Sequence, residues 1–141
     1  MKVLEPEKVR NGTWGSLWLD GEQVAECYAC KGVVEKTKED VKRCNTLMRG
    51  KKMTELAGTG SVSIYNATST LLEKENAALK AGKDLQHTII SLLDDPDADS
   101  PQRIAYYGVS FDNLTLSDWS AAVNGTIEAP FTFTDWEILD S

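Results

Sequence analysis

The side chains best suited to chemistry are a C-x-x-C pair and one histidine. Cys27 and Cys30 have the spacing of a metal or redox motif, and Cys44 and His87 are the other soft ligands of the chain. Neither repeats the paired spacing of a zinc site. Because the pair lies in a predicted strand, its odd offset predicts side chains on opposite faces of a sheet. We therefore expect free thiols that act as small hydrophobes, a structural histidine, and no metal or other cofactor.

A second candidate for chemistry is the acidic turn at residues 94–99. In a helix-loop-helix calcium motif the sixth residue is Gly and the twelfth is Glu. Counted from Asp95, these positions hold Ser100 and Tyr106, and prolines interrupt the segment. The turn is not that motif, although weak cation binding by its carboxylates stays open. Phosphate-binding loops and nucleophile elbows are also absent from the sequence, so we predict that the protein is not an enzyme.

The elements that would position these side chains are predicted to be mostly strands. Asp20-Gly21 is a two-residue hairpin signal. Thr70-x-x-Glu73 resembles a capping box, with Ser69 as a competing cap, and Gly82 is suited to end the helix. The other strands are expected at residues 54–65, 85–93 and 102–111 and in a run that includes Phe131 and Phe133. This pattern predicts a mainly β fold, an antiparallel β-sandwich or small barrel with one α-helix packed outside.

Alternation along the strands and the apolar side of the helix predict which residues form the core and which face of a strand is exposed to water. The strand at 54–65 places small hydroxyl side chains on the face away from its apolar residues, which predicts a face toward water. Those hydroxyl residues are Thr59, Ser61 and Ser63. The expected core residues are Trp18, Val62, Ile64, Leu72, Leu79, Phe111, Trp119, Phe131 and Phe133.

The chain of 141 residues has the size of one domain, and its net charge of −7 is unevenly spread. Residues 1–13 are expected to be a flexible arm, and residues 35–53 a charged loop that could hold a short helix. This loop is either solvated surface or a docking element. Its bases are Lys36, Lys38, Lys42, Arg43, Arg49, Lys51 and Lys52. From residue 84 to the end there are eleven acids and one base.

Apolar runs long enough to span a membrane are missing, and charges occupy the place where a signal peptide would have its apolar core. We expect a protein made in the cytoplasm, with no membrane insertion by this chain alone.

Motifs in the second half resemble the tail tube proteins of contractile-tailed bacteriophages and phage-like defective elements. The first half resembles them more loosely, through residues 15–21 and 58–60. The matching residues of the second half are Asp95-Pro96-Asp97-Ala98, Arg103, Gly108-Val109, Phe111-Asp112, Leu114-Thr115-Leu116, Asp118-Trp119 and Pro130-Phe131-Thr132-Phe133. No catalytic residue is implied by this resemblance.

The resemblance implies a structural virion protein that forms six-membered rings. The rings would stack head to tail into a hollow tube inside a contractile sheath, with baseplate proteins as further partners. Phage DNA would pass without sequence-specific binding, and the hydroxyl face at residues 59–63 would line the lumen. The basic loop would dock on acidic surface of a neighbouring copy. The candidate acids are Asp94, Asp95, Asp97 and Asp99.

Three alternatives remain at this point. One is the tube of a phage-derived bacteriocin particle that carries no genome. Another is a monomeric β-sandwich binding module whose basic loop contacts an acidic ligand. The third is an enzyme that uses the acidic turn as a cation site.

Overall fold

The computed structural model describes residues 3–67 and 69–140, which form antiparallel strands and one α-helix. Short 3₁₀ turns lie at Pro6–Lys8 and Gly12–Trp14. The strands and the helix are β1 Gly15–Leu19, β2 Glu22–Gln23, β3 Cys27–Val41, β4 Gly50–Tyr65, α1 Thr70–Lys80, β5 His87–Leu93, β6 Gln102–Phe111, β7 Thr126–Phe133 and β8 Asp135–Asp140.

Two sheets share strand β6, and their antiparallel pairing confirms the predicted mainly β, antiparallel fold. The strand order is β2-β1-β5-β6-β7-β4-β3, and β8 also pairs with β6. The first part of β6 pairs with β5 and β8, whereas Ser110 and Phe111 pair with β7. The chain changes sheets beside Gly108, which has a φ of 63°. A Cβ atom there would lie 2.2 Å from Thr134 Oγ1, so this corner requires glycine.

The core lies between the two sheets and is built from alternate residues of five strands. Phe131 is fully buried, and Tyr106 and Phe111 contact its ring edge-to-face. Val62, Ile64, Phe131 and Phe133 are buried as their alternation predicts. The other buried apolar residues are Leu17, Leu19, Ile89, Ala105, Val109 and Ala129.

Two of the predicted core residues are wrong. Trp119 is 81% exposed because it lies in the loop between β6 and β7 and not on a strand that packs. Leu79 is 48% exposed because the side of α1 that faces the sheet runs through Leu71, Glu75 and Ala78, which places Leu79 at its margin.

Three further predicted core residues are only half-buried. Trp18 alternates with the buried Leu17 and Leu19, so it lies on the opposite face of β1. Leu72 lies beside the side of α1 that faces the sheet, and Phe111 packs against the edge of the core.

The turn and helix signals place the remaining elements correctly. Asp20 and Gly21 form the turn between β1 and β2, and both have positive φ angles. Helix α1 ends just before Gly82, as predicted. Ser69 occupies the N-cap position but its side chain makes no capping hydrogen bond.

The predicted charged loop at residues 35–53 is wrong. This segment belongs to β3 and β4, which pair continuously from Val41↔Gly50 back to Cys27↔Ile64. Only residues 42–49 lie between the strands. Alternation failed as a signal here because both faces of the hairpin are largely exposed, so neither face has to be apolar.

Candidate assembly surfaces

The largest projecting feature is the outer part of the β3–β4 hairpin, residues 35–57, which we call the distal hairpin. Strand β7 pairs with β4 only as far as Gly58, so beyond that point the ribbon has two strands. The seven residues from Glu35 to Val41 extend it by roughly 20 Å. Residues 42–49, the hairpin tip, are exposed throughout.

The pairing register gives the distal hairpin two faces of different charge. Side chains directly opposite each other in an antiparallel pair share a face, and neighbours along a strand alternate. The face on the core side is basic and partly apolar, with Lys36, Lys38, Asp40, Lys51, Met53 and Leu56. The other face is acidic, with Glu35, Glu39, Glu55 and Lys52. The predicted docking bases therefore do not all lie on one face: Lys36, Lys38 and Lys51 share the basic face, whereas Lys52 lies on the other.

The hairpin tip combines bases with exposed apolar side chains. The Arg43 guanidinium donates to the Met48 carbonyl at 2.9 Å, and Arg49 pairs with Asp40 at 3.3 Å. Leu47 has all of its side chain in water. Exposed ion pairs of this kind contribute little to stability, so little free energy is lost if a contact with another chain replaces them.

The hydroxyl face of β4 continues the acidic face of the hairpin. Thr59 and Ser61 lie opposite Thr132 and Pro130 of β7, on the side away from the core. Lys31 of β3 lies opposite Ser61 on the same face. The residues predicted to line a lumen, Thr59, Ser61 and Ser63, thus share one continuous sheet face with Glu128.

The acidic turn is partly occupied by the chain's own amino-terminal segment. Asp95 is 5% exposed and accepts from the backbone N–H groups of Asn11 and Asp97, both at 2.9 Å. Lys8 lies 3.5 Å from Asp99, and Arg10 donates to the Ser100 carbonyl. The predicted docking role of Asp95 is therefore wrong, because burial and these hydrogen bonds engage it internally. Asp94, Asp97 and Asp99 are exposed.

These contacts also bear on the segment predicted to be a flexible arm. Lys8, Arg10 and Asn11 hold it against the acidic turn, while residues 1–2 lie outside the described residues.

The C-x-x-C pair lies on one sheet face, contrary to the prediction. Cys27 pairs with Ile64 and Cys30 with Val62. A β-bulge at Tyr28 adds one residue between them, which places both cysteine side chains on the same face. Desolvation raises the pKa of Cys30 to about 11, and Cys27 beside it adds to the rise, although the residue keeps exposed surface. A thiol with such a pKa is a poor nucleophile. Within residues 3–67 and 69–140, His, Cys, Asp and Glu form no group of three that could hold a metal ion.

His87 lies at the centre of a polar cluster that joins two elements. It is 3% exposed, and Nδ1 lies 2.7 Å from Asp20 Oδ2 while Nε2 contacts Glu75 Oε1. Burial would raise the pKa of Asp20, but hydrogen bonds from His87 and from the Thr88 N–H outweigh it and the pKa is lowered. The cluster ties α1 to the β1–β2 turn. His87 and Glu75 are buried, and this suits a structural role.

The fold and these surfaces define a β-sandwich subunit with a projecting hairpin. The family model described as "Phage tail tube protein" matches residues 2–140, and the chain belongs to this family. It is a structural subunit of a particle tail and not an enzyme, so the binding-module and enzyme alternatives are set aside. None of the helices in the described ranges is long and apolar enough to cross a membrane.

Curated relatives agree with this assignment. The chain is 31% identical over 138 residues to the phage-like element PBSX protein XkdM of Bacillus subtilis strain 168, covering 96% of this chain and 94% of that protein. It is equally similar to the uncharacterised protein YqbM of the same strain.

Solved structures share the fold. The tube-terminating cap of the anti-feeding prophage matches with a TM-score of 0.75 at 13% identity, covering 100% of this chain and 95% of that one. A sheath–tube complex of an extracellular contractile injection system matches with 0.71 at 9% identity, covering 90% and 88%. A Bacillus subtilis protein matches with 0.54 at 32% identity, covering 90% and 92%.

Proposed function

We propose that six copies of this chain close into a ring and that the rings stack head to tail into the hollow inner tube of a contractile tail. The tube would lie inside a sheath and end on a baseplate. Structures with this fold include a sheath–tube complex and a baseplate of contractile particles, which supports these partners. The single observation that carries the proposal is the distal hairpin, which extends away from the body and has exposed bases and apolar residues.

The hairpin supplies the contact between copies in this proposal. A two-stranded ribbon with one basic face cannot bury that face on its own body, because it extends beyond the third strand. From residue 84 to the end the chain has eleven acids and one base, so a second copy offers surface of opposite charge. Complementary patches set the register and the rate of encounter more than the affinity. Exposed candidates on the neighbour include Asp94, Asp97 and Asp99.

The hydroxyl face of β4 and β7 is the proposed lumen lining. Lysine or arginine side chains there would bind phosphates and slow the passage of DNA, whereas hydroxyl and acidic side chains do not. Thr59, Ser61 and Ser63 meet this requirement, and Glu128 adds negative charge. Lys31 is a basic residue on this face, and Ser61 lies opposite it on the adjacent strand β4. DNA would pass without sequence-specific contacts.

A second candidate within the same architecture is the tube of a particle without a genome. The similarity to the anti-feeding prophage and to an extracellular contractile injection system favours it. The two functions differ in what fills the lumen, so nuclease-resistant DNA inside purified particles would separate them.

Negative-stain electron microscopy of the purified protein over a range of concentration and salt tests the proposal. Uniform hollow filaments or six-membered rings are the expected result. Particles that stay monomeric under every condition, including with sheath protein and baseplate added to nucleate assembly, would contradict it.

A further inference from the structure

The loop between β6 and β7, residues 112–125, exposes more apolar surface than a free loop requires. Leu116, Trp119 and Val123 are 72%, 81% and 67% exposed. The loop carries two acids, Asp112 and Asp118, and no base. Clustered apolar exposure rimmed by charge marks a contact site on a soluble protein.

A cavity lies beside this loop and gives the site depth. It has a volume of about 120 Å³ and is open to solvent between the loop and α1. Its walls include Leu72, Leu114 and Leu116, and Asp118 is an acidic residue among its lining residues. A cavity of this size and lining suits one aliphatic side chain accompanied by a positive charge.

The hairpin tip has the complementary properties. Leu47 and Met48 are the most exposed apolar side chains near its bend, at 103% and 74%. Lys42, Arg43 and Arg49 surround them, and the tip contains no acid. The tip is thus apolar with a basic rim, and the loop is apolar with an acidic rim.

We infer that the hairpin tip of one copy docks on the β6–β7 loop of a second copy, with Leu47 and Met48 against Leu116 and Trp119. The inference rests on the proposed function, which does not specify the receptor surface. Apolar contacts supply the affinity, and the rims of opposite charge supply the orientation. Donor and receptor are different surfaces of the same chain, so in a head-to-tail arrangement the contact propagates into rings or filaments.

The acidic turn is the competing receptor, and its own chain already engages it. Lys8 pairs with Asp99, and Asn11 donates to the buried Asp95. A neighbour would have to displace these contacts, whereas the loop offers free apolar surface. This difference favours the loop.

A cross-link tests the contact directly, because Cys44 is an exposed thiol in the hairpin tip. Val123→Cys places a second thiol in the loop, and Ile138→Cys on edge strand β8 is a control of similar exposure. Tubes of each variant are oxidised mildly and separated without reductant. Cross-linked oligomers are expected with Val123→Cys only, and adding Cys44→Ser should remove them.

Tubes that form normally but link Cys44 to the Ile138→Cys site, or give no link at residue 123, would overturn this inference and leave the proposed function standing. If the unsubstituted protein forms no tubes under nucleating conditions, both fall.

A second measurement examines the energetics. Trp119→Ser should raise the protein concentration needed for tube formation by about tenfold or more, the usual effect of removing an interface hot spot. Leu79→Ser, which removes an apolar side chain from a half-exposed site on α1, should leave that concentration unchanged. Circular dichroism should show that both variants remain folded. Equal effects of the two substitutions would contradict the inference.

Discussion

His87 shows how a buried polar residue fixes the geometry of an element. It links Asp20 in the β1–β2 turn to Glu75 on α1, and the Glu75 side chain is only 5% exposed. Removing the imidazole would leave Glu75 buried without its partner. We predict that His87→Leu destabilises the fold by about 3 kcal/mol. Chemical denaturation should show a smaller loss when Glu75→Leu is already present; equal losses in both backgrounds would mean that the pair is not coupled.

Asp20 makes stability depend on pH in the acid range. The pKa of Asp20 in the folded protein lies below its ordinary value of 3.8. A carboxyl with a lowered pKa stabilises the folded state above its unfolded pKa, and this contribution is lost as the pH falls through the folded one. As the pH is lowered from 6 to about 2, the free energy of unfolding should therefore decrease less for Asp20→Asn than for the unsubstituted protein. Parallel curves would contradict this assignment.

Gly60 lies beneath the Phe131 ring and tests the packing of the core. A Cβ atom at this position would lie 2.4 Å from the Lys31 carbonyl oxygen and 2.6 Å from the ring. Because the carbonyl belongs to the paired strand, it cannot move aside. Gly60→Ala should cost about 1–3 kcal/mol in thermal unfolding. Gly12→Ala, with no atom within 4 Å of the added Cβ, should be nearly neutral.

Residue-scale predictions from the sequence succeeded where alternation was regular. Phe131 and Phe133 follow such a run and are buried. Cys27 and Cys30 were predicted on opposite faces but share one, because a β-bulge lies between them. Such a bulge has no signal in the sequence. Trp119 was predicted to lie in the core, although it lies in an exposed loop.

At the scale of elements, the distal hairpin is both the main failure of the sequence analysis and the main candidate for function. Most strands were predictable because one face is buried, which forces alternation. Neither face of residues 35–57 is buried. Their strand structure therefore depends on cross-strand pairing, and the sequence shows no apolar alternation that would predict it. Their charge clustering was visible, and the register then divided it between two faces.

The two faces of the hairpin make a matched experiment possible. Lys51 lies on the basic face with Lys36 and Lys38, and Lys52 lies on the acidic face with Glu39 and Glu55. If the basic face contacts a neighbour, Lys51→Glu should abolish tubes while the monomer stays folded. Lys52→Glu should have a much smaller effect, and both can be followed by sedimentation and circular dichroism. Normal tubes from Lys51→Glu would remove the basic face from the assembly contact.

At the scale of the whole molecule, family membership and fold could be anticipated, whereas the surfaces that we propose for assembly could not. The motif order in the second half indicated the tail tube family, which the family match over residues 2–140 confirms. The contacts between copies depend on which surfaces are exposed together. That property emerged only when the fold placed Leu47 and Met48 at the end of a ribbon and Trp119 in an open loop.

The most direct test of the central claim is a helical reconstruction of assembled tubes by electron cryomicroscopy. We predict rings of six copies, with Thr59, Ser61 and Ser63 facing a hollow lumen and the distal hairpin contacting another copy. A filament without sixfold rings, or one whose lumen is lined by the opposite, core-side face of the hairpin, would contradict it.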